Sequence, residues 1–255
     1  MEPADPEPTR RFSDRAEDYA RYRPDYPAAA VTAILAGLAP PTELTIADIG
    51  AGTGILSRQL AERGARIVAV EPNASMREAA TPHARITWQD GTAEATGLPF
   101  ATHDAVTVAQ AFHWFHPTIA LPEFHRALRP GGRLAVLWNH RSRDDAFTNG
   151  YRRALEAIDG EAPAERSTFD PETVAKTGCF RNLRSLRFEH RQALRLEDLL
   201  GRALSTSTVP RSGPRTDTLL AMLRELHAKH RGADGRATMV YRTDVFLWDR
   251  ADVAG

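Results

Sequence analysis

The segment from residue 48 to residue 54 reads Asp48-Ile49-Gly50-Ala51-Gly52-Thr53-Gly54, and it is the strongest indication of the fold of this 255-residue chain. A short apolar stretch at 44–47 precedes it, as a buried parallel strand would, and residues 55–63 follow with the spacing of an amphipathic helix. Because glycine has no side chain, three glycines in five residues allow a ligand to lie against the backbone. The segment therefore predicts a strand, a ligand-binding turn and a helix.

An acidic residue ends the next apolar stretch. Glu71 follows Ile67-Val68-Ala69-Val70 and stands 21 residues after Gly50. An acid at the end of a second strand is placed to hydrogen-bond the ribose hydroxyls of a nucleotide. Ile55 occupies the place of the third glycine in the dinucleotide pattern G-x-G-x-x-G, so the spacing disfavours a nicotinamide dehydrogenase. Asp48, two residues before the first glycine, is placed to meet a cationic group of the ligand.

Strand-like and helix-like segments alternate along the chain. This alternation predicts an α/β fold, a doubly wound parallel sheet covered by helices on both faces. The predicted strands lie at 44–49, 66–71, 85–89, 104–110 and 132–138, with two more near 183–191 and 238–248. Helices are predicted near 13–21, 25–37, 144–159, 196–205 and 214–231. Residues 1–11, rich in proline and acid, predict a loose tail, which leaves 12–255 as a single domain.

Charge, cysteine content and hydropathy argue against several classes of protein. The 33 basic and 33 acidic side chains balance, so no electrostatic footprint for nucleic acid is evident. One cysteine, Cys179, excludes an internal disulfide and a thiolate zinc site. No long apolar run or signal-like segment is present, which predicts a cytoplasmic protein that neither spans a membrane nor is secreted. His113 and His116 lack a further ligand at suitable spacing, so no metal is predicted.

The glycine motif with Asp48 and Glu71 resembles the nucleotide-binding motif of class I methyltransferases, which use S-adenosylmethionine (SAM). Similarity to the family continues over about residues 12–141, in Gly91-Thr92-Ala93-Glu94, in the segment 109–115 and in the turn at 128–134. The segment 109–115, Ala109-Gln110-Ala111-Phe112-His113-Trp114-Phe115, is close to a signature of a small-molecule branch that includes trans-aconitate methyltransferase-like enzymes. The resemblance implies a seven-stranded sheet of order 3-2-1-4-5-7-6 with strand 7 antiparallel. It also implies helical lid segments near 12–37, starting at Phe12, and near 144–231.

The resemblance also implies a set of SAM-binding residues. The N-terminal lid supplies Tyr19 for the methionine portion and Arg23 for its carboxylate, although simple helix packing explains both residues equally well. The implied SAM-binding residues are Tyr19, Arg23, Asp48, Gly50, Gly52, Gly54, Glu71, Pro72, Thr92, Ala93, Glu94, Ala109 and Gln110.

His113 is the leading candidate for acting on the methyl acceptor, because it lies just past the fourth predicted strand. A neutral imidazole accepts a proton and a protonated one holds a carboxylate, whereas the alternative is a histidine that only shapes the loop. His140, in the segment 138–141, is expected to lie past the fifth strand. Further acceptor contacts are predicted for Tyr22, Trp114, Trp138 and Asn139, the last two being equally explicable as core residues.

Together these features predict an enzyme that transfers a methyl group from SAM to a small molecule, preferably on a carboxylate or hydroxyl oxygen. Sulfur, nitrogen and carbon acceptors remain open. Two alternatives are a tRNA-modifying methyltransferase and a SAM-binding regulator without activity. The expected partner is a small-molecule acceptor, and neither nucleic acid nor a membrane is expected to bind. The protein is expected to be a monomer or a homodimer.

Overall fold

A computed structural model describes residues 13–159 and 169–252 and shows one sheet flanked by helices. The strand order is β3-β2-β1-β4-β5-β7-β6, which confirms the predicted topology. Strands β1 to β5 run parallel, and β7 pairs antiparallel with both β5 and β6. The strands are β1 Thr45–Ile49, β2 Arg66–Val70, β3 Ile86–Gln89, β4 His103–Ala109, β5 Leu128–Arg141, β6 Phe180–Leu194 and β7 Ala237–Arg250.

Strand β1 occupies the centre of the parallel part of the sheet, since β2 and β4 pair with its two edges. Its residues 46–49 are all buried, as a strand covered on both faces requires. The carboxyl ends of β1, β2 and β4 therefore meet at one edge of the sheet, where Asp48, Glu71 and Ala109 lie close to the strand ends. In open α/β sheets ligands bind at this edge.

The helices cover both faces of the sheet. They are α1 Ala16–Tyr22, α2 Ala28–Leu35, α3 Ile55–Ala61, α4 Ala74–Glu78, α5 Pro117–Ala127, α6 Ala146–Asp159, α7 Glu172–Ala175, α8 Leu196–Leu204 and α9 Pro214–His230. Apolar side chains of α2 and α3 pack on one face and those of α5 on the other. A third apolar cluster joins α6, α8 and α9 to β7.

Strand β5 is longer than the sequence predicts. The strand was expected to end at residue 138, with His140 past it, but residues 139–141 belong to it and pair with β7 as far as Arg141 opposite Tyr241. The antiparallel partner supplies backbone hydrogen bonds beyond the apolar stretch, so the strand continues through polar residues. The side chains of Asn139 and His140 consequently stand on the sheet itself and not on a loop.

Some expectations concern residues outside the described ranges. The loose tail at 1–11, Phe12 and the part of the second lid segment at 160–168 all lie there. Among the described residues, no helix is both long and apolar enough to cross a membrane.

Candidate active site

Asp48 is held in place at the end of β1 by two hydroxyl groups. Its carboxylate accepts hydrogen bonds from Ser57 Oγ at 2.6 Å and from Thr107 Oγ1 at 2.7 Å. The side chain is only 1% exposed, and this burial raises the pKa of Asp48 to about 6, with the negative charge of Glu71 adding to the effect. Two neighbouring carboxyl groups at low exposure suit a ligand that carries positive charge.

The three glycines of the turn all have positive φ, but they differ in how closely other residues pack against them. A Cβ atom on Gly50 would lie 2.8 Å from Ala111 Cβ, and one on Gly54 would lie 2.9 Å from Trp88 Cζ2. A Cβ on Gly52 would meet only Met76 Cε, at 3.9 Å. Close packing therefore requires Gly50 and Gly54, whereas Gly52 borders open space.

Glu71 follows β2 directly and bonds to the glycine turn. Its Oε2 accepts a hydrogen bond from the Gly52 N–H and its Oε1 from the Asn73 N–H, each at 2.9 Å. Burial is the main cause that raises the pKa of Glu71. Since each carboxylate oxygen has two acceptor directions, both oxygens keep one for a ligand. Pro72 comes next in the chain and is partly buried.

We expect Glu71→Ala to weaken the binding of SAM and of its demethylated product, S-adenosylhomocysteine (SAH). Loss of a charged acceptor costs about 1.5–3 kcal/mol per hydrogen bond, or roughly 10- to 150-fold in affinity. Calorimetric titration with SAH measures the effect. Asp90→Asn is the matched control, because it removes a nearby exposed carboxylate that pairs with Arg77. Unchanged affinity in folded Glu71→Ala would remove Glu71 from the site.

The segment after β3 holds Thr92, Ala93 and Glu94 of the implied SAM-binding set, which the family resemblance assigns to the adenine ring. Ala93 is buried, and the Thr92 hydroxyl accepts a hydrogen bond from the Ala95 N–H at 3.2 Å. The Glu94 carboxylate accepts one from the His116 N–H at 2.8 Å, at the first residue before α5. The Glu94 side chain therefore stabilises a helix N-terminus, and the adenine contacts of this segment stay a prediction.

Two tyrosines of the N-terminal segment close over the glycine turn. Tyr19 and Tyr26 line a small cavity of about 40 Å³ together with Asp48, Gly50, Ala51, Gly52, Thr53, Ile55, Leu56 and Ala109. The Thr53 hydroxyl is buried there without a hydrogen-bond partner. Neither residue belongs to the implied SAM-binding set, although Tyr26 lies in the predicted lid segment and Thr53 stands between two glycines of the pattern, where the pattern specifies no residue type.

The exit of β4 is held in an unusual backbone conformation. Gln110 has φ +59, a value uncommon for residues other than glycine, and its N–H donates to the Leu137 carbonyl at 3.0 Å. Ala109, the last residue of β4, lines the small cavity. Such strained positions at strand ends often mark functional sites.

The predicted acceptor residues divide into two groups. His113 is exposed, and its ring centroid lies 4.5 Å from that of Trp114 and 5.3 Å from that of Trp138. Trp138 is 5% exposed, and its indole N–H has no hydrogen-bond partner. These three rings form one aromatic group at the exit of β4, against Trp138 of β5.

Asn139 and Tyr22 lie in the packing of the fold. Asn139 Nδ2 donates to the Asp25 carbonyl at 3.0 Å, and its Oδ1 accepts from Thr243 Oγ1 at 2.5 Å. The Tyr22 ring lies against Gly201 of α8, where an added Cβ would stand 2.3 Å from it. These contacts hold both residues within the fold, and acceptor contacts by Asn139 and Tyr22 stay a prediction.

Comparisons with known proteins agree with this geometry. Residues 47–136 match the model of a methyltransferase domain. An uncharacterised methyltransferase of Mycobacterium tuberculosis is 41% identical over 172 residues, which cover 65% of this chain and 67% of the relative. The chain belongs to the class I SAM-dependent methyltransferases. SAM is accordingly its cofactor, and the free space at Gly52 with the unpaired Thr53 hydroxyl fits a ligand at the glycine turn.

Two further proteins show how this methyltransferase compares with the rest of its family. A structure from Anaeromyxobacter dehalogenans, provisionally assigned as a type II methyltransferase, has a TM-score of 0.64 at 26% identity and covers 90% of this chain and 97% of its own. A ubiquinone/menaquinone biosynthesis C-methyltransferase of Rubrivivax gelatinosus is 35% identical over 102 residues, 39% of this chain and 41% of its own length.

The raised pKa of Asp48 predicts a pH dependence of this methyltransferase. Because the folded-state pKa of about 6 exceeds the ordinary value of 3.8, the protonated carboxyl stabilises the fold. That contribution is complete below about pH 4 and disappears as the pH rises through about 6. Relative to Asp48→Asn, the free energy of unfolding of the wild type should fall by on the order of 3 kcal/mol between these limits. Urea unfolding without ligand measures it, and a constant difference across the range would contradict the assignment.

Proposed function

We propose that this enzyme transfers the methyl group of SAM to an oxygen atom, a carboxylate or a hydroxyl, of a small-molecule acceptor. The observation that carries the proposal is the exposed imidazole of His113 beside Trp114 and Trp138, at the edge of the sheet where Asp48 and Glu71 lie. An imidazole there is suited to remove a proton from a hydroxyl or to hold a carboxylate. The resemblance of the segment 109–115 to trans-aconitate methyltransferase-like enzymes supports an oxygen acceptor.

The proposed mechanism requires little beyond alignment of the two substrates. SAM, when bound, supplies a methyl group on a sulfonium that leaves as a neutral thioether, so no general acid is needed. Glu71 would hold the ribose, and Asp48 would face the cationic part of the cofactor. His113 would take the proton of a hydroxyl acceptor as the carbon–oxygen bond forms. Proximity and orientation can lower such a barrier by about 7–11 kcal/mol.

Carbon is the alternative acceptor that a specific observation favours. The relative from Rubrivivax gelatinosus is named as a C-methyltransferase, although the match spans 41% of its length. A carbon acid also needs a base, so His113 would serve either acceptor. Incubation with methyl-labelled SAM and mass-spectrometric analysis of the products of an acceptor panel tests the proposal. A labelled methyl ester or ether supports oxygen transfer, and labelled methyl on carbon refutes it.

Two further outcomes separate the other functions. A salt-dependent gel shift with tRNA, or label in the RNA, would favour a tRNA-modifying enzyme. SAM binding with no transfer to any acceptor, small molecule or RNA, would favour a regulator. The balanced charge of the chain supports a small-molecule acceptor over tRNA.

We propose that the segment from Tyr19 to Tyr26 acts as a lid over the cofactor. Ligand pockets in proteins are roughly 300–1,000 Å³, so the cavity of about 40 Å³ under Tyr19 and Tyr26 must widen for SAM to enter. Several bonds between the segment and the rest of the fold must open with it, including those from Arg23 Nη2 to the Ser205 carbonyl at 3.1 Å and from Gln192 Nε2 to the Tyr22 carbonyl at 3.3 Å. Gln59 exchanges two hydrogen bonds with the Tyr26 backbone, at 2.7 and 3.1 Å, and Asn139 donates to the Asp25 carbonyl.

Hydrogen exchange should show this lid directly. Residues 13–27 should exchange faster in the ligand-free enzyme and become protected in the SAH complex, because the bound ligand adds contacts to both tyrosines. Helix α9 is the internal control, since it packs on α6 and α8 away from the glycine turn. Equal protection of residues 13–27 in both states would indicate a permanently docked segment.

A further inference from the structure

Several polar atoms are buried without a hydrogen-bond partner where α1, α6 and α8 meet. Arg202 on α8 is 3% exposed and Tyr151 on α6 is fully buried. The unpartnered atoms are Arg202 Nε and Nη1, Arg23 Nε, Tyr151 Oη, Thr206 Oγ1 and Thr208 Oγ1. Buried polar groups are nearly always satisfied in native proteins, so a group of unsatisfied donors requires an explanation.

These donors include two guanidinium groups close enough to repel each other. Burial lowers the pKa of Arg23 to about 10, and the positive charges of Arg202 and then Arg141 contribute to the shift. In residues 13–159 and 169–252 no carboxylate forms an ion pair with Arg23 or Arg202. At Arg202 the effect of burial is outweighed by Tyr241 and Tyr151, and the hydroxyl of Tyr241 hydrogen-bonds the guanidinium, so the pKa of Arg202 is raised. Neutral hydroxyl groups carry no countercharge, and a buried cation without a counterion is destabilising, so the geometry calls for an anion.

The cluster borders the cofactor cleft through Tyr19. The Arg23 guanidinium lies 4.6 Å from the centroid of the Tyr19 ring, which lines the small cavity at the glycine turn. Arg141, at the end of β5, stacks on Tyr151 at 5.1 Å. One carboxylate, that of the SAM methionine, can neutralise one guanidinium. Arg202, on α8, therefore still lacks a counterion when SAM is bound, so a second anion is required.

We propose that Arg202 binds a carboxylate or phosphate group of the methyl acceptor, while Arg23 faces the carboxylate of SAM. The inference rests on the proposed function and names the acceptor as an anionic molecule. A guanidinium matches either oxyanion with two parallel hydrogen bonds, and the hydroxyls of Tyr151 and Thr206 are further donors. The anion would neutralise a cation that the protein itself leaves uncompensated.

The test titrates the full chain with citrate, inorganic phosphate and uncharged glycerol, with and without saturating SAH, by calorimetry and thermal unfolding. We expect saturable binding of citrate or phosphate and none of glycerol, and the tighter of the two anions identifies the oxyanion. Arg202→Met should weaken anion binding at least 10-fold and change SAH affinity less than threefold. Its ligand-free Tm should equal or exceed that of the wild type, because a buried unpaired charge is removed. Arg215→Met, on exposed α9 surface, is the control and should bind like the wild type.

Several results would overturn the proposal. Wild-type chain that binds neither anion, or an Arg202→Met chain that binds them equally well, removes the site. A large loss of SAH affinity in Arg202→Met assigns the cluster to the carboxylate of SAM. Arg202→Lys is the second variant, for the case in which Arg202→Met does not fold. It keeps the positive charge and loses the planar guanidinium, so it should weaken anion binding at least fivefold. Unchanged binding in Arg202→Lys would refute the proposal. If SAH does not bind to the wild type, the proposed function fails separately, because the anion titrations are also read without SAH.

Discussion

Gly52→Val should abolish detectable binding of SAM and SAH, with a loss of affinity of at least about 100-fold, or about 2.7 kcal/mol. The Gly52 N–H bonds to Glu71, so this residue lies beside the acid expected to hold the ribose. A Cβ atom there would touch no protein atom closer than Met76 Cε at 3.9 Å. The valine side chain would therefore occupy the space of the ligand and leave the packing of the protein intact.

Backbone strain is the competing explanation, and a second glycine controls for it. Gly52 has φ +58, and a residue with a side chain in this region costs roughly 1–2 kcal/mol. Gly131 has φ +77, and an added Cβ there would meet no atom within 4 Å. Gly131→Val should thus lose similar stability and bind SAH like the wild type. Calorimetric titration of both variants, with Tm values for each, separates the effects. Normal SAH affinity in a folded Gly52→Val protein would place the cofactor elsewhere.

The parts of this site that follow from local pattern could be predicted from the sequence. The alternation of strand-like and helix-like segments predicts the parallel strands. The position of Glu71, directly after β2, follows from the local sequence alone. Ser57 and Thr107 could not be identified in this way. Thr107 bonds to Asp48 across 59 positions of the chain, and only the pairing of β1 with β4 brings the two side chains together.

Tertiary pairing also explains the errors. Strand β5 extends to Arg141 because β7 supplies hydrogen bonds that no residue pattern within β5 records. Arg202 is a helical arginine, a residue type that is seldom fully buried without a partner, so nothing in its segment indicates burial. It becomes buried because α1 packs on α8 at Gly201, with the Tyr22 ring in contact. The proposed anion site is thus a property of three helices and of no single motif.

His113→Ala should lower methyl transfer by roughly 10²–10⁴ while SAH affinity stays within about threefold. His113 does not line the cavity at the glycine turn; it packs beside Trp114 and Trp138 at the strand exits. Its removal should therefore affect the acceptor step and leave the cofactor contacts unchanged. His116→Ala is the matched control, because this exposed histidine lies three residues away and its side chain makes no cap hydrogen bond to α5.

The kinetic pattern of His113→Ala distinguishes a base from a binding group. If the imidazole removes a proton, kcat falls, and the wild-type rate rises with pH across the range in which imidazoles lose their proton. If it holds a carboxylate, acceptor KM rises and kcat changes little, and the wild-type affinity for the acceptor weakens as the imidazole deprotonates. The two roles thus give opposite pH trends in the wild type. Wild-type kcat and KM in His113→Ala would instead show that this histidine only shapes the loop, and the proton of a hydroxyl acceptor would then need another base.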